Sequence, residues 1–310
     1  MEDYPRDLMD FETRFATEDA CRAYLAQLRW PDGFQCPGCA GESAWKTDRD
    51  LWLCQRCGLQ TSLLAGTVFQ DTKKPLQMWF RAMWHITGQK HGGNALGLQR
   101  TLGLGSYRTA WSWLHKLRRA MVRPGRDRLS GVVQTDETYV GGVKSGPRGR
   151  GAEGKSLVLI MVQDKGGRVG RIRLARVADA SSASLVPAVS AGVAPGSTIS
   201  TDGWTGYEGL SEAGYTRVIA RSESVVGDDL LPLPHLVASL LKRWILGTYQ
   251  GSVSPEHLDY YLDEFTFRFN RRTSASRGKL FYRLVQQAAQ VDPVPVQQII
   301  GGKAHPISSG

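Results

Sequence analysis

Long apolar runs are missing from this sequence. The longest, LVLIMV at residues 157–162, falls far short of the roughly 20 residues a spanning helix needs, so no membrane partner is expected. Nor does the start resemble a secretory leader. The start, MEDYPRDLMDFE, is acidic, whereas a leader has a basic start and then an apolar stretch, and the expected compartment is the cytoplasm. No segment repeats at a fixed period, which argues against a repeat architecture. Acidic residues are in short supply: 29 Asp and Glu stand against 39 Lys and Arg, for a net charge of +10. That balance favours a polyanionic partner, because cations that neutralise phosphates gain affinity by releasing counterions. Cysteine is scarce, with five in the chain. In a cytoplasmic protein this argues against a disulfide framework and for metal or redox use.

Composition divides the chain into an N-terminal helix plus cysteine-rich segment (1–66), a helical region (67–126), a β-rich and then helical domain (127–290) and a Pro/Gly-rich tail (291–310), in keeping with roughly 100–200 residues per domain. Cys21 lies among Ala20, Tyr24 and Leu25 in the helical stretch 10–30 and reads as a small buried hydrophobe. The other four form C-x2-C-x14-C-x2-C: Cys36, Cys39, Cys54 and Cys57. Each knuckle lets two thiolates converge, and two knuckles complete the four-thiolate tetrahedron of structural Zn²⁺. The alternative, a pair of redox dithiols, lacks a βαβ pattern around either knuckle. Trp45, Trp52 and Leu53 are expected to back this ribbon.

The middle region reads as three helices broken at the glycine pairs Gly92/Gly93 and Gly103/Gly105, with Ser106 as N-cap of the third. On that helix Ala110, Trp113, Leu114, Leu117 and Met121 make an apolar stripe, leaving Tyr107, Arg108, Lys116, Arg118 and Arg119 for the remainder. A helix-turn-helix and a plain amphipathic hairpin with a solvated basic face fit these residues equally well.

From residue 131 the pattern is strand-like: GVVQTDETYVGG, SLVLIMVQDKGG and GRVGRIRLARVADA, then a small-residue helix, then GSTISTDGWTGY. Three strands, a helix and a strand ending in an acid make an α/β layout in which Asp136 and Asp202 can meet. Side chains alternate along a strand, so only one of Asp136 and Glu137 enters a given site. Paired carboxylates hold hard divalent cations, Mg²⁺ or Mn²⁺, as in two-metal phosphodiester chemistry.

The knuckles, the helical segment, TDETYVGG, TDGWTGY, HLVASLLKRWILGTYQG and HLDYYLDEFTFRFNRR, in this order, resemble bacterial insertion-sequence transposases of the DDE superfamily, in the group with an N-terminal zinc ribbon and an RNase H-like catalytic core. The resemblance spans roughly residues 15 to 290. It implies an RNase H-like mixed sheet flanked by helices and an enzyme that binds the terminal inverted repeats of its element. Water cuts a strand to leave a 3′-hydroxyl, which then attacks target DNA. Such enzymes act on double-stranded DNA as homodimers or higher multimers, which implies a nucleoid-associated location. Asp136 and Asp202 match the first two catalytic acids. His235, 33 residues after Asp202 and seven before Lys242, stands where the superfamily commonly has Glu. The set is thus Asp136, Asp202 and His235 with trailing Lys242, which is suited to a DNA phosphate. Glu264 and the Asp228/Asp229 pair remain alternatives for the third ligand. Neutral imidazole brings no negative charge and favours softer metals than a carboxylate does. Activity is therefore predicted to be better supported by Mn²⁺ than by Mg²⁺, and equal rates at matched concentration would overturn that. Arg268, Arg271 and Arg272, set among Phe residues, suit phosphate contacts, although Phe265, Phe267 and Phe269 also read as core. The basic loop 144–155 is expected to order on DNA. Two other readings fit the same residues: a DNA-binding regulator with an inactive C-terminal domain, and an RNase H-like nuclease directed by junction shape.

Overall fold

A computed structural model of the chain describes residues 2–123, 125–141, 155–220, 229–251 and 253–301. Asp228, most of the basic loop 144–155 and the last nine residues lie outside them. The chain divides into two compact units, one of Met1–Pro124 with Ser274–Gly301 and one of Gly125–Thr273.

The first unit opens with α1 (Leu8–Arg14) and α2 (Glu18–Arg29), each N-capped by a side-chain oxygen, from Asp7 and Thr17. Cys21 on α2 is fully buried, as expected of a small hydrophobe. The cysteine segment forms a three-stranded antiparallel ribbon of β1 (Ala44–Lys46), β2 (Leu51–Cys54) and β3 (Gln60–Ser62). Three helices follow: α3 (Leu76–Gly88), α4 (Ala95–Leu102) and α5 (Tyr107–Ala120). Pro75 offers α3 no side-chain cap. Glu18 of α2 does this work instead, accepting from the N–H groups of Leu76 at 2.8 Å and Gln77 at 3.0 Å. Gly103, at φ +62°, closes α4 in the left-handed region, where L side chains are disfavoured, and Ser106 caps α5.

The second unit holds a five-stranded mixed sheet of β4 (Val132–Val140), β5 (Ser156–Asp164), β6 (Val169–Val177), β7 (Thr198–Thr201) and β8 (Thr216–Ile219). Their order is β6-β5-β4-β7-β8, antiparallel through the first three and parallel from β4 onward. Helix α6 (Ser182–Gly192) joins β6 to β7; α7 (Pro232–Tyr249) and α8 (Leu258–Phe269) follow the sheet. The apolar run 157–162 is β5, buried on both faces. Val158, Ile160 and Val162 face α7 and α8, while Leu157, Leu159 and Met161 face α6 and Tyr207. A helix on each face of the sheet makes a continuous apolar run the right pattern for a strand.

After α8 the chain returns to the first unit with α9 (Arg277–Ala288), which packs on α2, α3 and α5, and ends in α10 (Val296–Ile300). Phe281 of α9 enters an aromatic cluster with Phe11, Phe15, Phe80 and Trp84, at centroid distances of 5.2 to 5.8 Å. Among the described residues no helix is long and apolar enough to cross a membrane.

Candidate active site

The cysteine centre is built locally. In the first knuckle the Cys36 N–H donates to the Gly41 carbonyl and the Ala40 N–H to that of Cys36; in the second, Cys54 N–H reaches Leu59 and Gly58 N–H reaches Cys54. These turns bring Cys36 Sγ to 3.6 Å from Cys57 Sγ, and Cys39 Sγ to 3.6 Å from Cys54 Sγ. A tetrahedron with metal–sulfur bonds of about 2.3 Å has edges of about 3.8 Å, so the donor set fits zinc. The apolar backing differs from expectation: Trp52 packs on Phe34 and Trp30, whereas Trp45 is 53% exposed. In a short three-stranded ribbon only one face finds a partner, and Trp45 lies on the other.

In the second unit, alternation along β4 separates the two adjacent acids. Glu137 points toward α6, where its Oε2 accepts from the buried Tyr207 hydroxyl at 2.6 Å. Asp136 points to the α7 side. β7 lies parallel to β4 with Gln134 opposite Ser200, and the same register carried two residues further sets Asp202 level with Asp136. Burial holds the Asp136 carboxyl above its usual range; His235 opposes that shift, and the negative charge of Asp202 adds to it. Asp202 begins a tight turn in which its carboxylate accepts from the Trp204 N–H at 3.1 Å. Gly206 in that turn is required, because a Cβ there would collide with the Ala180 carbonyl.

Helix α7 starts with prolines at 232 and 234, which suit a first turn whose N–H groups have no partner within the helix. Val237, Leu241 and Ile245 bury it against the sheet, with Leu240 and Trp244 partly buried beside them. This turns His235 and Lys242 to the open side. His235 Nε2 lies 3.2 Å from Asp136 Oδ2, and its Nδ1 lies 2.5 Å from Asp229 Oδ1. An open cleft of about 560 Å³ runs between Asp136 and Thr138 on the strand and His235, Ser239 and Lys242 on the helix. Half-burial draws the Lys242 ammonium below its usual range.

The structure therefore brings His235 to Asp136 and sets Asp202 just past the end of the neighbouring strand. It does not gather the three as tightly as the cysteines. Among the described residues, the four cysteines are the group of His, Cys, Asp and Glu ligands that lie within 4.8 Å of one another. Glu264 is 1% exposed on α8, where it accepts from Arg268 at 2.9 Å and from Tyr249 at 3.1 Å. Asp229, by sequence an alternative third ligand, is a partner of the histidine in the structure. Its position beside a helix N-terminus was the available signal.

The basic residues divide. Arg108 is exposed at the start of α5, and Lys116 is half-buried. Arg118 and Arg119 depart from the solvated face expected of them, at 2% and 8% exposed, on a helix against which α4, α9 and α10 pack. Arg271 and Arg272 stack over Phe267 and Phe269 at 4.0 and 4.3 Å, and Arg272 also donates to the Gly170 carbonyl at 3.2 Å. All three phenylalanines, 265, 267 and 269, are buried core residues.

Comparison with known proteins agrees with this layout. Residues 16–60 match the transposase zinc-ribbon domain, and residues 128–270 match the ISXO2-like transposase domain. A protein of Halobacterium salinarum, described as an uncharacterized protein in transposable element ISH50, is 30% identical over 308 residues, covering 89% of this chain and 98% of its own length. With its zinc ribbon, its mixed sheet and this match along nearly all of an insertion-sequence protein, the chain belongs to the ISXO2-like transposases.

Proposed function

We propose that this transposase binds the terminal inverted repeats of its own insertion sequence, cuts one strand at each end to leave a 3′-hydroxyl, and joins that end to target DNA. The observation that carries the reading is His235 against Asp136, with Asp202 just past the end of the parallel neighbouring strand and near enough for its charge to act on Asp136. The strand order, three antiparallel strands followed by two parallel ones with helices on both faces, supports an RNase H-like core. Two half-buried carboxylates and an imidazole suit Mg²⁺ or Mn²⁺. Divalent ions, when bound, would activate the attacking oxygen and stabilise the leaving oxygen.

Asp136 and Asp202 would hold the ions, His235 would complete the set, and Lys242 across the cleft would meet a phosphate beside the scissile bond. No side chain need become covalently attached to DNA. Arg108, at the exposed N-terminal end of α5, is placed as a helix-turn-helix residue would be to reach a groove. The protein would work on the nucleoid as a homodimer or larger multimer pairing two ends.

A strand-transfer assay with the DNA flanking the gene tests the reading. Asp202→Ala and His235→Ala are expected to abolish joining while leaving DNA binding within a few-fold. Full activity in the histidine variant would overturn the assigned set, and wild-type protein that binds without cutting would point to a regulator.

A further inference from the structure

His235 is a half-exposed residue in the first turn of a helix, a place where an imidazole ordinarily rotates freely, yet both of its nitrogens have carboxylate neighbours. The backbone beneath it is pinned to the sheet. Gln134, two residues before Asp136 on the same strand face, accepts from the Leu233 N–H at 3.3 Å and donates to Asp164 at 3.1 Å. Asp229 Oδ1 accepts from the Leu231 N–H at 3.2 Å and faces His235 Nδ1 at 2.5 Å. One carboxylate oxygen thus serves both the turn that starts α7 and the ring.

We propose that Asp229 is a positioning residue that holds His235 in a single tautomer, with the Nδ1–H donated to Asp229 and Nε2 presented to Asp136. Both neighbours are carboxylates, which accept when ionised, and a neutral ring has one proton to give; Asp229 at 2.5 Å is in charge-assisted hydrogen-bond range whereas Asp136 is longer at 3.2 Å, which sets the proton on Nδ1. In the neutral ring the lone pair is then left on Nε2, on the cleft side. A carboxylate behind a ligating histidine also fixes ring orientation and raises basicity. This rests on His235 belonging to the divalent-ion site, and it gives the Asp preceding α7 a supporting role in place of a ligand's.

The test uses full-length protein with ¹⁵N-labelled histidine at a pH where the ring is neutral. Long-range ¹H–¹⁵N spectra report which nitrogen bears the proton, and His235→Ala identifies the signal among six histidines. Wild type is expected to show the Nδ1–H form. Asp229→Asn should keep it, because the amide oxygen still accepts. Asp229→Ser should lose it, because the shorter side chain can still cap the Leu231 N–H but cannot reach the ring, so a merely structural role predicts no change. Mn²⁺ affinity, read by calorimetry, should fall about 10- to 100-fold in the Ser variant and less in the Asn variant. An unchanged tautomer in Asp229→Ser overturns the proposal even if Mn²⁺ binds normally. A switched tautomer in protein that binds no Mn²⁺ upholds the positioning role and overturns the metal-site reading.

Discussion

The cysteine centre and the carboxylate cleft solve the same problem, bringing several ligands together, by opposite means. The four cysteines lie between residues 36 and 57 and are gathered by two short turns, with sulfurs already at tetrahedral spacing. Asp136, Asp202 and His235 come from a strand, a strand end and a helix, and they converge only loosely. The difference fits the two tasks. A structural site is closed by protein ligands and holds a small ribbon that cannot bury enough apolar surface by itself. Under the proposed function the cleft would have to admit DNA, and an open side suits that.

The largest expected effect breaks the closed site. Cys39→Ser should remove bound zinc, measured as metal per chain by mass spectrometry, and expose residues 31–62 to proteolysis. A variant that keeps both zinc and protection would mean that the ribbon folds on packing alone.

Asp136→Asn breaks the open site. It should lower strand cleavage by on the order of 10³-fold or more while DNA binding holds. Its effect on stability should have the opposite sign. Burial raises the Asp136 carboxyl, so the folded state binds the proton more tightly than the unfolded chain does. Metal-free wild type is then favoured at low pH and loses stability as pH rises through that raised value. The gap in melting temperature between the Asp136→Asn variant and wild type should therefore widen, in favour of the variant, from pH 4 to pH 7. A gap that narrows would contradict the assignment.

Tyr207→Phe sharpens the account of how the open site is held. The Tyr207 hydroxyl ties the turn after Asp202 to Glu137, the neighbour of Asp136. Its loss should cost about 1–3 kcal/mol in denaturant unfolding. The smallest effect belongs to the ribbon surface: Trp45→Ala should change stability by no more than about 0.5 kcal/mol, whereas Trp52→Ala, which loses the stack on Phe34, should cost clearly more. Equal losses would mean that both faces of the ribbon are supported.

Much of this was legible because it is local. The cysteine spacing contained its own geometry, and the alternation of β4 already separated Asp136 from Glu137. The glycine-broken helices, the Ser106 cap and the run 157–162 as a strand were readable from periodicity and capping chemistry. The resemblance to insertion-sequence transposases rested on motif order, which the chain's match to that family supports. Less legible were features that depend on how many neighbours an element acquires. The stripe on α5 marks one buried face, but nothing in it says that Arg118 and Arg119 outside the stripe would be buried too. Trp45 and Trp52 have the same residue type and similar surroundings in sequence, and only the one-sided packing of the ribbon tells them apart.

By itself, the sequence determined the zinc ribbon, the order of strands and helices, and the faces on which Asp136 and His235 lie, since these follow from turns and from the periods of strand and helix. Tertiary structure decided that His235 meets Asp136 with Asp229 behind it, that Glu264 is occupied by Arg268, and that α9 returns to the first unit. Each of these joins residues distant in sequence or depends on the surroundings of a whole helix, and such contacts exist only once the sheet has set the distances between its flanking helices.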